Sequence, residues 1–273
     1  TPDYDYSSGN LTAGADYRLS DSVILGAGLG FSRNNTDLRN DGGSLETSGF
    51  NLIGFASWYN QSQWFVDGVL TLGRNDYDLQ RNLRYTIPAL GSGITTISQV
   101  ATSSTKGDQL GASLAVGRDW QKGPWSINSY LRANYLSTDY DAYQERMIAN
   151  LPGAGLALAV DARKLTNTST TLGGKATYVL SRDWGILMPH GQLEWERSYA
   201  DDATQLVTRF LADPTGTTFV QFGDEIDDNF FNVGVGVSAL WPGGRSAFLA
   251  YERLLGSSRL SQDTLSLGVR VEF

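Results

Sequence analysis

The sequence contains no cysteine, one histidine and two methionines in 273 residues. Without cysteine a disulfide framework is excluded, and a zinc site built from cysteine and histidine is excluded with it. We therefore predict neither a bound metal nor a cofactor. The single histidine, His190, would have to serve any Ser-His-Asp triad, but it directly follows Pro189 near a short turn. We predict no catalytic residue and no enzyme activity.

Long apolar runs and basic clusters are also missing. No stretch of about 18 consecutive apolar residues occurs, so the chain has no transmembrane helix. The 29 Asp and Glu residues outnumber the 21 Lys and Arg residues, which gives a net charge of −8. Nucleic-acid binding needs clustered cations, so we predict no nucleic-acid partner. A membrane β-barrel is compatible with this composition, because each spanning strand needs only ~9–11 residues, about half of them polar.

What the sequence does have is glycine, aromatic residues and a period of two. Its 31 Gly, 13 Tyr, 11 Phe and 7 Trp are typical of β-structure with many turns. In the closing segment LSLGVRVEF (265–273), the apolar residues occupy one face, while Ser266, Gly268, Arg270 and Glu272 occupy the other. VILGAGLGFS, LGASLAVG and VGVGVSAL alternate in the same way. This period indicates strands with one apolar face and one polar face.

The alternating segments define eleven strands with two kinds of connection. Short polar turns lie at 18–22, 59–63, 120–125, 180–184 and 241–246, and longer segments separate them on the other side. We place the strands near residues 10–19, 22–34, 48–59, 63–77, 108–120, 124–138, 168–181, 185–198, 230–241, 245–256 and 262–273. An outer-membrane barrel has short periplasmic turns and long external loops. The predicted fold class is therefore all-β, a transmembrane antiparallel up-and-down β-barrel.

The strand count predicts one more strand than this chain holds. Bacterial single-chain barrels usually have an even number of strands. If residue 273 is periplasmic, the first visible strand runs downwards from an external Thr1. We expect a single domain over 1–273, which supplies about 11 of 12 strands, with the first strand upstream. The long external segments are expected to carry further strands, including a hairpin that turns at Asp213 to Gly216.

Six of the seven tryptophans lie at or beside the short turns. The indole ring prefers the headgroup region of a membrane, where its N–H stays hydrated. Clustering at one rim therefore predicts a periplasmic aromatic girdle. Its members are Trp58, Trp64, Trp120, Trp125, Trp184 and Trp241.

Strand parity also predicts which polar side chains face the barrel lumen. They are Asp16, Arg18, Asp67, Arg132, Lys175, His190, Glu194, Glu196, Glu252, Arg270 and Glu272. Such mixed charges suit a lumen that holds a threaded helix, one that is a water-filled pore, or one whose charges simply pair with each other. Glu194 and Glu196 resemble a catalytic carboxylate pair, but at roughly 6–7 Å on one wet strand we interpret them as lumen charges.

Several segments recur in a characteristic order along nearly the whole chain. They are GADYRLSDSVILGAGLGFSRNNTDL, WFVDGVLTLGRNDYDLQR, MPHGQLEWERSY, FFNVGVGVSAL, SAFLAYERLLG and the closing GVRVEF. Together they resemble the translocator barrel of the classical autotransporters, the type V secretion proteins of Gram-negative bacteria. The resemblance implies a barrel that displays or secretes an N-terminal passenger, with a linker helix in the lumen. It also implies that the linker helix and first strand precede this chain.

The same resemblance implies a location and a set of partners. The location is the bacterial outer membrane, with the long loops outside. The partners are outer-membrane lipid and lipopolysaccharide, the outer-membrane assembly machinery, and the protein's own passenger and linker helix. Phe273 corresponds to the terminal aromatic that contributes to recognition by the assembly machinery. The alternative is a free-standing barrel, either a passive pore or a structural surface protein whose external hairpins contact partners.

Overall fold

A computed structural model of the chain describes residues 4–88, 94–148, 152–199, 205–223, 227–257 and 262–271. The strands in these ranges are β1 Tyr4–Ser20, β2 Val23–Leu38, β3 Gly43–Tyr59, β4 Trp64–Pro88, β5 Ile94–Lys122, β6 Trp125–Tyr140, β7 Tyr143–Gln144, β8 Arg146–Met147, β9 Leu158–Val160, β10 Arg163–Tyr178, β11 Leu180–Arg182, β12 Gly185–Ser198, β13 Gln205–Phe210, β14 Thr218–Phe222, β15 Asn229–Trp241, β16 Arg245–Leu255 and β17 Asp263–Val271. A single 3₁₀ turn, Ala154–Leu156, is the only helical element in the described ranges.

The eleven long strands form one antiparallel sheet, the wall, which curls into a half-barrel. The wall follows the order β1, β2, β3, β4, β5, β6, β10, β12, β15, β16 and β17. Each predicted strand is found, and most extend beyond the predicted bounds. The connection at 34–46, expected as a long loop, is instead strand up to a tight turn at 39–42. Asn40 and Asp41 adopt φ values of 60° and 59° there, a conformation that these two residue types tolerate better than most.

The wall has an apolar face and a polar face, as the period of two predicts. On the closing strand β17, Leu265, Leu267 and Val269 are 72%, 76% and 75% exposed on the apolar face. A continuous belt of exposed large apolar side chains fits contact with lipid. On the polar face, the Tyr130 hydroxyl of β6 donates to the Glu194 carboxylate of β12 across the intervening strand β10. Side chains two strands apart meet only where a sheet is concave, so the polar face is the inner one.

A second, smaller sheet lies at the end of the wall opposite the short turns. Its order is β14, β13, β9 and β7, and the neighbouring β8 pairs with β5 beyond the end of β6. We call β7, β8, β9, β13, β14 and the 3₁₀ turn the outer cap. Ile97 and Ala101, from the inner face of the extended β5, are buried against it together with Ala157, Ala159 and Val160. The longest strands, β4 and β5, therefore continue past the membrane to support the outer cap.

The predicted hairpin between β13 and β14 turns on Asp213. Its carboxylate accepts hydrogen bonds from the Thr215 hydroxyl at 2.7 Å, the Thr215 N–H at 2.9 Å and the Thr217 N–H at 3.0 Å. These donors, the Thr215 hydroxyl first, hold the pKa of Asp213 below its usual value of 3.8. The folded turn therefore binds a proton more weakly than the unfolded chain does. Its stabilisation is complete above that value and is lost as the pH falls through the lower, folded pKa.

We expect Asp213→Ala to open the β13–β14 hairpin at neutral pH, because three donors lose their acceptor. Amide exchange over 205–222 should be a few times faster in the variant at pH 7, and the difference should shrink as the pH falls below 3.8. Asp213→Asn is the matched control, since it keeps one acceptor oxygen but cannot titrate. A difference that stays constant down to pH 2 would contradict this role for the carboxylate.

Candidate functional site

The polar inner face is organised by glycines that let side chains meet over them. Gly173 of β10 lies opposite both Tyr130 and Glu194, and a Cβ built on it would be 2.3 Å from the Tyr130 ring. Gly234 of β15 has the same position between Gln192 and Glu252, whose side chains bond at 2.8 Å. Because glycine has no side chain, the middle strand leaves a space in which side chains of the two flanking strands form hydrogen bonds.

Further hydrogen bonds extend this network across the wall. Arg132 reaches Glu194 at 3.4 Å, and their side chains are 33% and 18% exposed. Asn134 bridges Ser113 of β5 at 2.8 Å and Ser169 of β10 at 3.2 Å. These contacts satisfy the inner polar groups while leaving a hydrophilic surface, which suits a hydrated lumen.

Most of the predicted lumen residues lie on the inner face of the wall. Strand parity and register put ten of them on the inner face: Asp16, Arg18, Asp67, Arg132, Lys175, His190, Glu194, Glu196, Glu252 and Arg270. Glu272 lies outside the described residues, and so does Phe273. Glu194 and Glu196 do not act as a pair, because Glu196 instead accepts from Thr171 at 3.5 Å. Tyr130 and Gln192 are central to the network but were not predicted, and the facing glycines were the available signal.

The six predicted girdle tryptophans lie at the short-turn end of the wall. All are 41–47% exposed. Trp184 and Trp241 approach each other with ring centroids 6.2 Å apart, and Trp125 meets Tyr178 at 4.8 Å. The role of this ring of aromatics at the membrane interface stays a prediction.

One buried ion pair attaches the outer cap to the wall. Arg81 of β4 holds Glu145 with its Nε at 2.8 Å and its Nη2 at 2.5 Å from the two carboxylate oxygens. The Leu158 N–H also donates to Glu145 at 2.9 Å, and Arg81 reaches the Leu156 carbonyl at 3.2 Å. Glu145 is only 8% exposed. The sequence analysis did not find this pair, because its members are 64 residues apart and both lie in long connections between the predicted strands.

A cavity of about 120 Å³ lies between the wall and the outer cap. Tyr77, Tyr140, Tyr143 and Arg163 line much of it, with the Arg163 guanidinium 5.0 Å above the Tyr140 ring. Next to Tyr77 on the outer face of the wall lies the exposed ion pair of Asp76 with Lys106. The cavity is therefore beyond the end of the apolar belt. Burial raises the pKa of Tyr77 well above its usual range, and burial also raises the pKa of Tyr143. Both phenols therefore stay protonated and can donate hydrogen bonds.

A half-barrel wall with an exposed apolar belt and a polar inner face defines an outer-membrane β-barrel protein. The model of the family described as "Autotransporter beta-domain" matches residues 1–252, so the chain belongs to that family. It is an outer-membrane translocator and anchor domain, and this identification favours secretion over the free-standing barrel. No helix in the described part of the chain is long and apolar enough to cross a membrane.

Known structures share the fold. The beta domain of the Bordetella autotransporter BrkA has a TM-score of 0.60 and 22% identity, covering 99% of this chain and 92% of that one. The translocator domain of the autotransporter NalP from Neisseria meningitidis has a TM-score of 0.64 and 17% identity, covering 99% and 81%.

A curated relative corrects one prediction. Esterase EstA of Pseudomonas aeruginosa is 26% identical over 233 residues, which are 84% of this chain and 33% of the relative. The chain thus spans about a third of the length of the curated relative. The prediction that the protein is not an enzyme is wrong, because this relative is named as an esterase. The composition of a barrel wall reflects its contacts with lipid and water, so it does not report on enzyme activity elsewhere in a polypeptide.

Proposed function

We propose that the full-length protein is an esterase autotransporter, in which this barrel anchors and exports an N-terminal esterase passenger. The observation that carries the translocator part is the polar inner face, which is hydrogen-bonded across strands from β3 to β16. The esterase part rests on the similarity to Esterase EstA, of which this chain matches only a third.

We further propose that a twelfth strand closes the wall. Among the described residues, β1 pairs only with β2, and β17 pairs only with β16. In hydrocarbon an open edge leaves N–H and C=O groups without partners, at several kcal/mol for each group. A strand from the segment before Thr1, following a linker helix in the lumen, would pair with both edges once the half-barrel curls further and brings them within two strand spacings, about 10 Å.

The other partners follow from the family and stay proposals. The charges of the inner face, including the predicted lumen residues, would solvate the linker helix. The apolar belt would contact outer-membrane lipid and, in the outer leaflet, lipopolysaccharide. Phe273 would be read by the outer-membrane assembly machinery.

The test is ester hydrolysis by intact cells that express the full-length protein. We expect such cells to hydrolyse an ester that cannot cross the outer membrane, and external protease to abolish that activity. A second strain expresses the same protein with the barrel residues 1–273 deleted and a periplasmic signal retained. Its activity should appear only after lysis.

The outcomes separate the two parts of the proposal. No hydrolysis even in lysates of the full-length strain would contradict the esterase passenger. Hydrolysis in lysates but not by intact full-length cells would contradict surface display by this barrel.

A further inference from the structure

Arg118 lies between two tryptophan rings at the short-turn end of the wall. Its guanidinium carbon is 5.6 Å from the Trp64 ring and 5.6 Å from the Trp120 ring. Trp64 faces Arg118 across the β4–β5 pair, and Trp120 follows two residues later on the same face of β5. Both rings are accessible, at 44% and 41% exposed. The stack fixes the plane of the guanidinium, so its N–H groups can donate hydrogen bonds only within that plane.

The Nε–H of Arg118 is buried and has no hydrogen-bond partner in the described part of the chain. The adjacent carboxylate does not supply one, because Asp119 points to the inner face and accepts from Asn128 at 2.7 Å. No described carboxylate forms an ion pair with Arg118, although ten other pairs of opposite charge do form. An arginine cannot lose its proton to relieve this, so an unpaired donor here is costly.

The position of Arg118 along the strand shows what meets it. On the outer face of β5, Leu110, Leu114 and Val116 form part of the apolar belt and are 39%, 53% and 42% exposed. Arg118 is the next outward residue and the first charged one beyond the belt. This is the depth at which tryptophans mark the headgroup region, and lipid phosphates lie there. Phosphate oxygens match the guanidinium fork and its Nε–H in a bidentate manner.

We infer that Arg118, held by Trp64 and Trp120, is a binding site for the phosphate of a membrane glycerophospholipid in the periplasmic leaflet. The phosphate oxygens would accept from the guanidinium, including its Nε–H once an indole ring, 44% or 41% exposed, turns aside, and the two rings would pack beside the glycerol and upper acyl carbons. The site would fix the barrel at a defined depth on this side. The inference is independent of the passenger.

The test is native mass spectrometry of the full-length protein in dodecyl maltoside micelles titrated with phosphatidylglycerol. We expect the first phosphatidylglycerol molecule to bind the original protein more tightly than further molecules of the same lipid do. Arg118→Gln should weaken the binding of this first molecule by about tenfold, since a charged hydrogen-bonded pair is lost. Arg118→Lys keeps the charge but not the fork and should lose about threefold. Arg182→Gln is the matched control, because Arg182 is an exposed arginine at another short turn that stacks on no described ring.

Two further ligands identify what is recognised. Uncharged diacylglycerol should bind weakly and with no dependence on Arg118, and inorganic phosphate should fail to displace the lipid at equal concentration. The inference is overturned if Arg118→Gln binds phosphatidylglycerol as the original protein does. It is also overturned if diacylglycerol shows the same dependence on Arg118, or if free phosphate displaces the lipid. If Arg118→Gln does not fold, the loss in Arg118→Lys relative to Arg182→Gln decides the question.

Discussion

Arg81→Met is expected to cost the attachment of the outer cap about 3 kcal/mol, the lower end of the range for breaking a buried ion pair. The substitution leaves the Glu145 carboxylate, only 8% exposed, with the Leu158 N–H as its remaining donor among the contacts described above. The lower end applies because Arg81 itself is 35% exposed. A loss of this size raises the population of the detached cap roughly 100-fold.

Limited trypsin digestion measures this detachment. Arg146 lies in β8, where pairing with β5 protects its backbone, and cleavage after Arg146 should become roughly 100-fold faster in Arg81→Met. Arg84→Met is the matched control, because it also replaces one arginine of β4 and so removes one trypsin site. It breaks an exposed ion pair instead of a buried one, since the side chains of Arg84 and Asp41 are 71% and 62% exposed. Exposed pairs contribute ~0.2–1 kcal/mol, so the control should change cleavage only a few-fold. Equal rates in the two variants would show that the buried pair does not hold the outer cap.

Gly117→Ala is expected to destabilise the wall by about 2–3 kcal/mol, the cost of overpacking a site whose neighbours cannot all move. A Cβ on Gly117 would be 2.2 Å from the Phe65 ring and 2.5 Å from the Ser129 carbonyl oxygen. The ring can rotate away, but the carbonyl belongs to β6, which is paired to β5 along its length. The added methyl group must therefore displace a strand.

Urea unfolding in lipid vesicles, followed by the mobility of the folded band on unheated gels, measures this loss. Gly68→Ala makes the same chemical change on β4 at an outward position where nothing lies within 4 Å of the new Cβ. Its free energy of unfolding should change by ~0.5 kcal/mol or less. Any change should be an increase, because alanine reduces the conformational entropy of the unfolded chain. Equal destabilisation of both variants would indicate a general cost of losing glycine rather than the contact at Gly117.

The relation between sequence and structure differs between the wall and the outer cap. The sequence alone puts Leu265, Leu267 and Val269 on one face, because side-chain direction in a strand depends only on parity. The Asp213 turn was also found from its local sequence. The outer cap as a unit was not predicted, because β7, β8 and β9 are two or three residues long and are stabilised by packing against the distant β5 and β13.

The prediction of no enzyme activity rested on the single histidine, His190, and it was wrong. His190 lies on the inner face of the wall, where its ring covers Gly236. Nothing about a residue in a barrel wall reports on the chemistry of other parts of a longer polypeptide. The similarity to Esterase EstA, rather than the composition, overturned that prediction.

Local sequence is enough to predict the eleven strands of the wall, their two faces and the end at which the tryptophans gather, because these depend on residues one or two positions apart. Which residues meet across strands could be seen only in the folded chain: Arg81 with Glu145, Tyr130 with Glu194 over Gly173, and Arg118 between Trp64 and Trp120. These contacts depend on strand register and on the curvature of the sheet. A shift of one residue would move every side chain to the opposite face, so register is fixed by the whole wall at once.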